Sequence, residues 1–378
     1  MVHSLGVMEG DCNGITGARA AMKVQGAADH LLNEKIEHTF YPFGADDFKR
    51  RGITQLTDED MQNLRRHKAI YKGAIGDSTK LPASVLEKGI ILKTRQDFDL
   101  YVSLRPIVLD EGVKSILVGK DHRHINFEVN RENTEGLYSR DPRNGVEHKG
   151  TDEEVGVNIM KCTYRGVSRL VDYAAERAVL KWEEKGKPDR KPRLVIAFKL
   201  NVLPESGAPW ERKYEETKAK RKDIDVEYMH IDACAMKMLN DPEYFDVIAT
   251  ENMFGDIITD PGAAISGGIG NGICGNIDPQ RRAPSIFETI SGSAPDKWYR
   301  TEGGILVPDT YVPEKVQRIR PEAAIRAYAM MLDFIGEKKA ATAMTEAAKA
   351  NLRNPDYEKM TLDQLVDDAC RFVEGWGR

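Results

Sequence analysis

Short apolar runs and longer stretches of helical periodicity alternate along this chain. The short runs, several of them β-branched, predict strands at 5–8, 36–41, 69–74, 194–198, 226–231 and 247–250, with others beginning near 100 and 125. The periodic stretches predict helices at 16–32, 58–67, 84–93, 153–182 and 210–222, and over the C-terminal end, where Thr361 opens the last helix in a capping box. Because strands and helices take turns, we expect an α/β fold whose sheet contains parallel strands covered by helices.

The segment 245–260 joins a predicted buried strand to a predicted helix. Asp256 and Asp260 lie four residues apart on that helix, so both carboxylates project from the same side. Like charges at this spacing repel, and a divalent cation held by hard oxygens would relieve the repulsion. A solvated helix face is the alternative. The position after a strand, where ligands gather in α/β proteins, favours a metal site.

Further polar residues follow or flank predicted strands. Arg95 and Arg105 flank the strand near residue 100, where they can clamp a polycarboxylate or form two surface salt bridges. The next strand and its polar turn carry Arg131 and Tyr138. Lys199 follows the strand 194–198, and a desolvated lysine there can act as a base, although a surface lysine is the ordinary alternative.

A glycine-rich loop contains a GxGxxG match at Gly270, Gly272 and Gly275. This match is not interpreted as a dinucleotide-binding fingerprint, because it opens no predicted helix and Pro279 follows closely. The loop could still contact a cofactor in another geometry.

Composition narrows the class of protein. The 378 residues are long enough for two or three domains, and 41% apolar with 30% charged residues is typical of a globular enzyme. A formal charge of −5 with both signs interspersed gives no basis for binding nucleic acid. No run of ~18 apolar residues predicts a membrane span. Five scattered cysteines without a CxxC pair, and an N-terminus unlike a secretory signal, predict a cytoplasmic protein.

Several fragments recur in one order along residues 5–335 and carry a family resemblance. They are RQDFDLYVSLRP, NRENTEGLYS, FKLNVL, HIDACAMKML, FDVIATENMFGDIITD and FETISGSAPD. Together they resemble the β-decarboxylating dehydrogenases, the family of isocitrate, isopropylmalate and tartrate/D-malate dehydrogenases. Two later stretches, NIDPQRRAPSIFE and AYAMMLDFIG, look most like the tartrate/D-malate branch.

The resemblance implies a two-domain α/β fold. Residues 1–104 and 266–378 would form a large cofactor-binding domain around a mixed sheet, and 105–265 a smaller domain for substrate, metal and dimerisation. It also implies a homodimer whose active site is shared between subunits.

The resemblance implies a role for each candidate residue. Substrate would contact Ile91, Arg95, Arg105 and Arg131. Mg²⁺ or Mn²⁺ would bind Asp256 and Asp260, together with the partner subunit's Asp232. Lys199, also from the partner, would act as base while hydride passes to the nicotinamide, and Tyr138 would protonate the product carbon after loss of CO₂. The cofactor would contact Asn201, Ser291, Gly292, Ala294, Asp296 and Arg320.

The chain departs from the family pattern in the cofactor region. Ser291 replaces a usual histidine, Arg320 stands near the position of an asparagine, and the segment between Asp296 and Arg320 is longer than in the family. An acid at position 296 suits the ribose diol of NAD. Lys297, Arg300 and Arg320 could instead accommodate the additional phosphate of NADP, so NAD is the expectation and NADP the alternative.

Substrate choice depends on the residues before Arg95. Gly89 and Ile91 occupy positions where isocitrate enzymes place polar residues, so isocitrate is expected to be a poor substrate. The branch resemblance favours D-malate, tartrate or a 3-substituted malate, with 3-isopropylmalate or a pathway-specific homologue of it as the alternative. A non-catalytic regulatory subunit is the non-enzyme alternative, and the retained arginines, aspartates, Tyr138 and Lys199 argue against it.

Overall fold

A computed structural model describes residues 2–377, which fold into two compact units. The first unit comprises the chain up to Phe98, the segment Asp110–Ser115 and the chain from Ser266 onward. The second unit comprises Asp99–Leu109 and Ile116–Ile265. No helix among the described residues is both long and apolar enough to cross a membrane.

The strands are, in chain order, β1 Val2–Met8, β2 Lys35–Tyr41, β3 Ala69–Lys72, β4 Val102–Val108, β5 Asn126–Glu132, β6 Gly145–Glu147, β7 Val155–Val157, β8 Arg193–Phe198, β9 Asp225–His230, β10 Val247–Thr250, β11 Ile273–Ile277, β12 Ser285–Thr289, β13 Tyr299–Glu302 and β14 Ile305–Tyr311. The α-helices are α1 Asn13–Ala27, α2 Ala45–Arg51, α3 Asp58–Arg65, α4 Ala83–Leu86, α5 Lys93–Asp97, α6 Tyr164–Glu184, α7 Pro204–Lys220, α8 Ile231–Asn240, α9 Asn252–Ile265, α10 Pro313–Val316, α11 Glu322–Ile335, α12 Lys338–Arg353 and α13 Leu362–Glu374. A π-helical turn, Glu87–Leu92, connects α4 to α5.

The first unit is built on strands in the order β2-β1-β3-β12-β11. All neighbouring pairs are parallel except β12 and β11, so this part of the sheet is mixed. Helix α1 packs against α11 and α13, and α11 packs against α12 and β12. The buried face of α11 is rich in alanine, which lets these helices approach closely.

The second unit is built on strands in the order β4-β5-β10-β8-β9. Strand β4 runs antiparallel to β5, and the remaining pairs are parallel. Helix α6 packs on β5, β8 and β10, while α8 packs against α9. The carboxyl ends of β5, β8 and β10 therefore open on one edge of this sheet, the usual place for a ligand site.

The α/β fold predicted from the sequence is confirmed, and two helix boundaries are corrected. The helix predicted from residue 153 begins at Tyr164, where the Thr163 hydroxyl accepts a hydrogen bond from the Gly166 amide. The β-branched and glycine residues before it form β7. The helix predicted from residue 210 begins at Pro204, a residue that suits the first turn because it needs no amide partner there. The capping box at Thr361 is confirmed.

Cys12 holds a backbone conformation that disfavours a side chain. It lies just before α1 with φ 48° and ψ −114°, a region that residues with a Cβ atom rarely occupy. Its side chain makes no capping hydrogen bond to the helix, although it is buried. The turn therefore carries backbone strain that local capping does not relieve.

We predict that Cys12→Gly is more stable than Cys12→Ala by about 1 kcal/mol, because both changes remove the thiol and only glycine removes the Cβ atom. Urea denaturation of the two variants measures the difference. An alanine variant as stable as the glycine variant would show that the turn is not strained.

Candidate active site

The carboxylate of Asp256 is the centre of a polar cluster in the second unit. Arg131 Nη1 donates to Asp256 Oδ1, and Arg105 Nη2 donates to the same oxygen over 3.2 Å. The Tyr138 hydroxyl donates to Asp256 Oδ2 over 3.2 Å. The structure thus brings together four of the residues predicted to form the site, namely Asp256, Arg105, Arg131 and Tyr138. Asp260 lies one turn later on α9.

Neighbouring strands position the two arginines. Arg131 lies at the carboxyl end of β5 and pairs in register with Thr250 of β10, which leads directly into α9. Arg105 lies on the antiparallel neighbour β4, in register with Val129. Because β4 and β10 border β5 on its two sides, a carboxylate on the first turns of α9 meets both guanidinium groups.

The start of α9 is shaped to hold Arg131. Asn252 Oδ1 accepts from Arg131 Nε at 2.9 Å and from Nη2 at 2.7 Å. A Cβ atom at Gly255 would lie 2.7 Å from Arg131 Cβ, so only glycine leaves room for the arginine stem. Arg131 is 1% exposed, and a guanidinium at that depth is stable only when its charge is paired.

Arg105 is held by the same helix. Its Nη1 donates to the hydroxyl of Thr259, which in turn donates to the carbonyl of Gly255 over 2.9 Å. Arg105 is 6% exposed. Two buried cations therefore converge on the carboxylate of Asp256, and guanidinium groups placed in this way are suited to binding a carboxylate ligand.

Tyr138 is kept protonated by its surroundings. Burial and then the charge of Asp256 raise the pKa of Tyr138, while Arg131 acts in the opposite direction. The Arg131 guanidinium also lies 5.5 Å from the centre of the Tyr138 ring. A protonated hydroxyl beside a cationic site is the form that can donate a proton.

Lys199 and Asp232 form a separate pair in the second unit. Lys199 follows β8, Asp232 lies in the first turn of α8, and Lys199 Nζ donates to Asp232 Oδ2 at 2.7 Å. The hydrogen bond from Lys199 lowers the pKa of Asp232. Asp232 is 67% exposed at its side chain, so this pair faces solvent in a single chain. Asn201 lies in the exposed turn that follows.

The predicted aspartates fit a divalent metal in chemistry but are incomplete in one chain. Asp256 and Asp260 offer hard oxygens from consecutive turns of α9, the ligand type that Mg²⁺ and Mn²⁺ prefer. Among the described residues, however, no group of three or more His, Cys, Asp or Glu side chains is arranged to hold a metal ion.

Arg95 belongs to a second cationic cluster, in the first unit. Arg95 Nη2 donates to Glu288 Oε1 over 3.1 Å, and Lys72 forms an ion pair with the other oxygen of Glu288. Burial opposes ionisation of Glu288, but the charges of Lys72 and Arg95 outweigh it and lower its pKa to about 2. Arg95 Nε is buried without a hydrogen-bond partner among residues 2–377, so it is available to a ligand.

Apart from Asn201, the residues predicted to bind cofactor divide into two groups. Ser291, Gly292, Ala294 and Asp296 lie on the segment between β12 and β13, where the Asn13 amide donates to the carbonyl of Ser293 over 3.0 Å. This contact brings the segment to the start of α1, and the exposed Asp296 carboxylate suits a ribose hydroxyl.

Arg320 is held elsewhere, at the C-terminal segment. Its Nη1 donates to the carbonyl of Met360 over 2.9 Å, and its guanidinium lies 4.7 Å from the centre of the Tyr357 ring. Its assignment to the cofactor stays a prediction.

Sequence reasoning missed the residues that support this site. Asn252, Gly255 and Thr259 hold the arginines, and Glu288 holds Arg95. The segment NMFGDIIT offered a signal, since an amide, a glycine and a hydroxyl recur along a helix that also carries the two aspartates.

Comparison with known proteins agrees with this architecture. The family model described as isocitrate/isopropylmalate dehydrogenase matches residues 4–373. The chain is 39% identical to 3-isopropylmalate dehydrogenase of Corynebacterium urealyticum, over 98% of this chain and 99% of that enzyme. It is 38% identical to 3-isopropylmalate dehydrogenase of Clavibacter sepedonicus, over 92% and 91%.

A solved structure, isocitrate dehydrogenase from Methylococcus capsulatus, is similar with a TM-score of 0.78 and 26% identity, over 98% of this chain and 99% of that one. The chain therefore belongs to the isocitrate/isopropylmalate dehydrogenase family, oxidoreductases that act on a CH–OH group with decarboxylation and use NAD with Mg²⁺ or Mn²⁺.

Proposed function

We propose that this protein oxidises and decarboxylates a 3-substituted malate, with 3-isopropylmalate as the first candidate substrate. The observation that carries the proposal is the pair of buried arginines, Arg105 and Arg131, that converge on the carboxylate of Asp256. Guanidinium groups match a carboxylate in charge and geometry, so a malate carboxylate would accept hydrogen bonds from both of them. In the first unit, Lys72 and Arg95 repeat this pattern around Glu288.

An apolar substituent on the substrate is favoured by Ile91. It lies in the π-helical turn that continues into α5, four residues before Arg95, so the two side chains project from nearly the same side. Gly89 cannot be replaced by a polar residue there, because a Cβ atom would lie 2.2 Å from the carbonyl oxygen of Thr54. An apolar group beside a carboxylate-binding guanidinium suits the isopropyl group better than a third carboxylate.

We favour 3-isopropylmalate, the alternative substrate, over the first expectation of D-malate or tartrate. The similar curated enzymes carry the name 3-isopropylmalate dehydrogenase, and they align over almost the whole chain. The resemblance of two C-terminal stretches to the tartrate/D-malate branch carries less weight than this agreement.

The chain's own residues would perform the proton transfers. A metal held by Asp256 and Asp260 would supply Lewis-acid polarisation of the 2-hydroxyl, and a nicotinamide cofactor would supply the hydride acceptor. Lys199 takes the hydroxyl proton, and Arg105 and Arg131 hold the carboxylates so that the bond to the departing CO₂ is aligned. Tyr138, protonated because burial and Asp256 raise its pKa, then donates its proton to carbon 3.

A homodimer would complete the site. Met236 and Leu239 on α8, and Ile257 on the adjacent α9, are 61%, 39% and 58% exposed. Asp232 shares the face of α8 with Met236 and Leu239, since these residues are spaced by four and seven positions. A second copy covering this apolar face would bring its Lys199–Asp232 pair towards Asp256 and Asp260, supplying the metal ligand that one chain lacks.

We retain a cytoplasmic location as part of the proposal. All five cysteines are free, and Cys12, Cys234 and Cys274 are buried, as in proteins of reducing compartments.

We predict that the purified protein with Mg²⁺ and NAD turns over 3-isopropylmalate at least about tenfold more efficiently than D-malate or isocitrate. An apolar pocket discriminates by about this factor against a substrate whose apolar group is missing or altered. NADH absorbance measures kcat/KM across the panel. Ile91→Ala should lower kcat/KM for 3-isopropylmalate and leave D-malate nearly unchanged. Faster turnover of isocitrate or D-malate by the unmodified protein would contradict the assignment.

We predict that mixing two inactive variants restores activity. Tyr138→Phe and Lys199→Ala should each lose about 100-fold or more in kcat, because each lacks a proton-transfer group. After subunit exchange, half of the dimers carry one intact site, so about a quarter of wild-type activity is expected.

Tyr164→Phe is the matched control for the tyrosine, since the Tyr164 hydroxyl donates to Glu216 and not to Asp256. It should remain fully active. A mixture no more active than its two components would exclude a site shared in this way.

A further inference from the structure

Glu251 is a buried acid that the proposed mechanism does not use. It directly precedes α9 and is 1% exposed. Its carbonyl accepts the Gly255 amide over 2.8 Å, and its Oε2 accepts the Phe254 amide over 3.1 Å. With its backbone and one carboxylate oxygen, Glu251 therefore caps the helix that carries Asp256.

The second carboxylate oxygen of Glu251 faces the turn that carries Tyr138. A Cβ atom at Gly136 would lie 2.0 Å from Glu251 Oε1, so this oxygen rests against the backbone of the turn. Gly136 has φ 80°, and its amide donates to the carbonyl of Lys161 over 2.8 Å, which ties the turn to a further segment. Only glycine leaves space for the carboxylate here.

Glu251 Oε1 makes no hydrogen bond that would account for its place. It is buried and has no partner of good geometry within residues 2–377, although the Leu137 amide is near enough to favour ionisation of the carboxyl. A buried oxygen without a hydrogen bond lowers stability. Helix capping needs one oxygen, and short side chains such as Ser, Thr, Asp and Asn provide it best. Capping alone therefore does not explain the longer side chain of a glutamate.

Asn252 joins the same two segments. Its Nδ2 donates to the carbonyl of Glu135 over 2.7 Å, while its Oδ1 accepts from Arg131 over 2.9 Å. The turn 135–138 thus contacts the start of α9 at two adjacent points. Tyr138, in this turn, reaches Asp256 Oδ2 over 3.2 Å, a long hydrogen bond that depends on the spacing of the two segments.

We propose that Glu251 is a positioning residue for the protonation of the product. The length of its side chain sets the distance between the turn 135–138 and α9, and so places the Tyr138 hydroxyl relative to the bound substrate. The inference rests on the proposed function for the role of Tyr138 as the acid. A displaced acid slows the step that it serves, while substrate binding by Arg105 and Arg131 is unaffected.

Glu251→Asp separates positioning from capping, because aspartate is a good cap but its carboxylate is one methylene shorter and withdraws from Gly136. With 3-isopropylmalate, kcat should fall about tenfold and KM should stay within about twofold, since a displacement of about 1 Å can cost up to about 100-fold in rate. Glu251→Gln keeps the length of the side chain and should retain at least about half of the wild-type kcat.

Stopped-flow absorbance tests whether the slowed step follows hydride transfer. In Glu251→Asp, NADH should form quickly in the first turnover and then wait for proton donation, giving a larger burst than the unmodified protein, up to about one NADH per site. Tyr138→Phe removes the acid through which Glu251 acts. The double variant should therefore lose no more than about twofold in kcat relative to Tyr138→Phe alone.

Hydrogen exchange measured by mass spectrometry provides a measurement that needs no turnover. The amides of residues 134–140 should exchange faster in Glu251→Asp than in the unmodified protein or Glu251→Gln, while α9 stays protected because its cap is retained. Glu176→Asp is the matched control, since it shortens an exposed glutamate of α6 that pairs with Arg221. It should change neither kcat nor exchange at 134–140.

The proposal and the proposed function fail in different ways. Wild-type kcat in Glu251→Asp, a loss shared equally by Glu251→Gln, or an additive loss in the double variant would overturn the positioning role and leave the proposed function intact. If the unmodified protein turns over no malate, the proposed function fails. Faster exchange at 134–140 in Glu251→Asp would then still support Glu251 as the residue that holds the turn.

Discussion

Two buried guanidinium groups that share one carboxylate set the constraint on which the second unit depends. Arg131 and Arg105 reach Asp256 from neighbouring strands, and both are almost inaccessible to water. An unpaired charge at such depth costs about 3–5 kcal/mol, so α9 must start where its carboxylate can meet them. Three residues of α9 meet this requirement. Asn252 and Thr259 accept hydrogen bonds from the arginines, and Gly255 leaves space for the Arg131 stem. In the proposed function, the same guanidinium groups bind the carboxylates of an acidic substrate.

The exposed pair Lys199–Asp232 explains why the active unit is expected to be larger than one chain. Its residues are the proposed base and the proposed partner-derived metal ligand, and the Asp232 side chain faces solvent beside the apolar side chains of α8. Exposed apolar groups next to unused functional groups are typical of a surface that another protein covers. Catalysis and association would then depend on the same helix, so that a separated subunit would lack both a ligand and a base.

Local patterns predicted much of the fold and less of the site. The strand 247–250 and the helix that carries the two aspartates after it were predicted correctly, because a buried strand and a helical spacing are both local properties. The predicted start of α6 at residue 153 was wrong, because periodicity alone does not distinguish β7 and the loop after it from additional helix. The role of Glu288 was not predicted, because it depends on a contact with Arg95, which lies 193 residues away in the sequence. No structure was predicted for the hairpin β13–β14, because its sequence follows neither the hydrophobic period of a helix nor that of a strand.

The central claim is that Arg105 and Arg131 bind a carboxylate of the substrate. Its most direct test is to measure the affinity of the protein for Mn²⁺ with and without 3-isopropylmalate, using electron paramagnetic resonance to detect the free ion. A substrate carboxylate that pairs with Arg105 and Arg131 should release the oxygens of Asp256 for the metal. We therefore predict that the substrate tightens Mn²⁺ binding by about tenfold, a usual coupling between two sites. An Mn²⁺ affinity that is the same with and without substrate would contradict the claim that these arginines exchange Asp256 for the substrate.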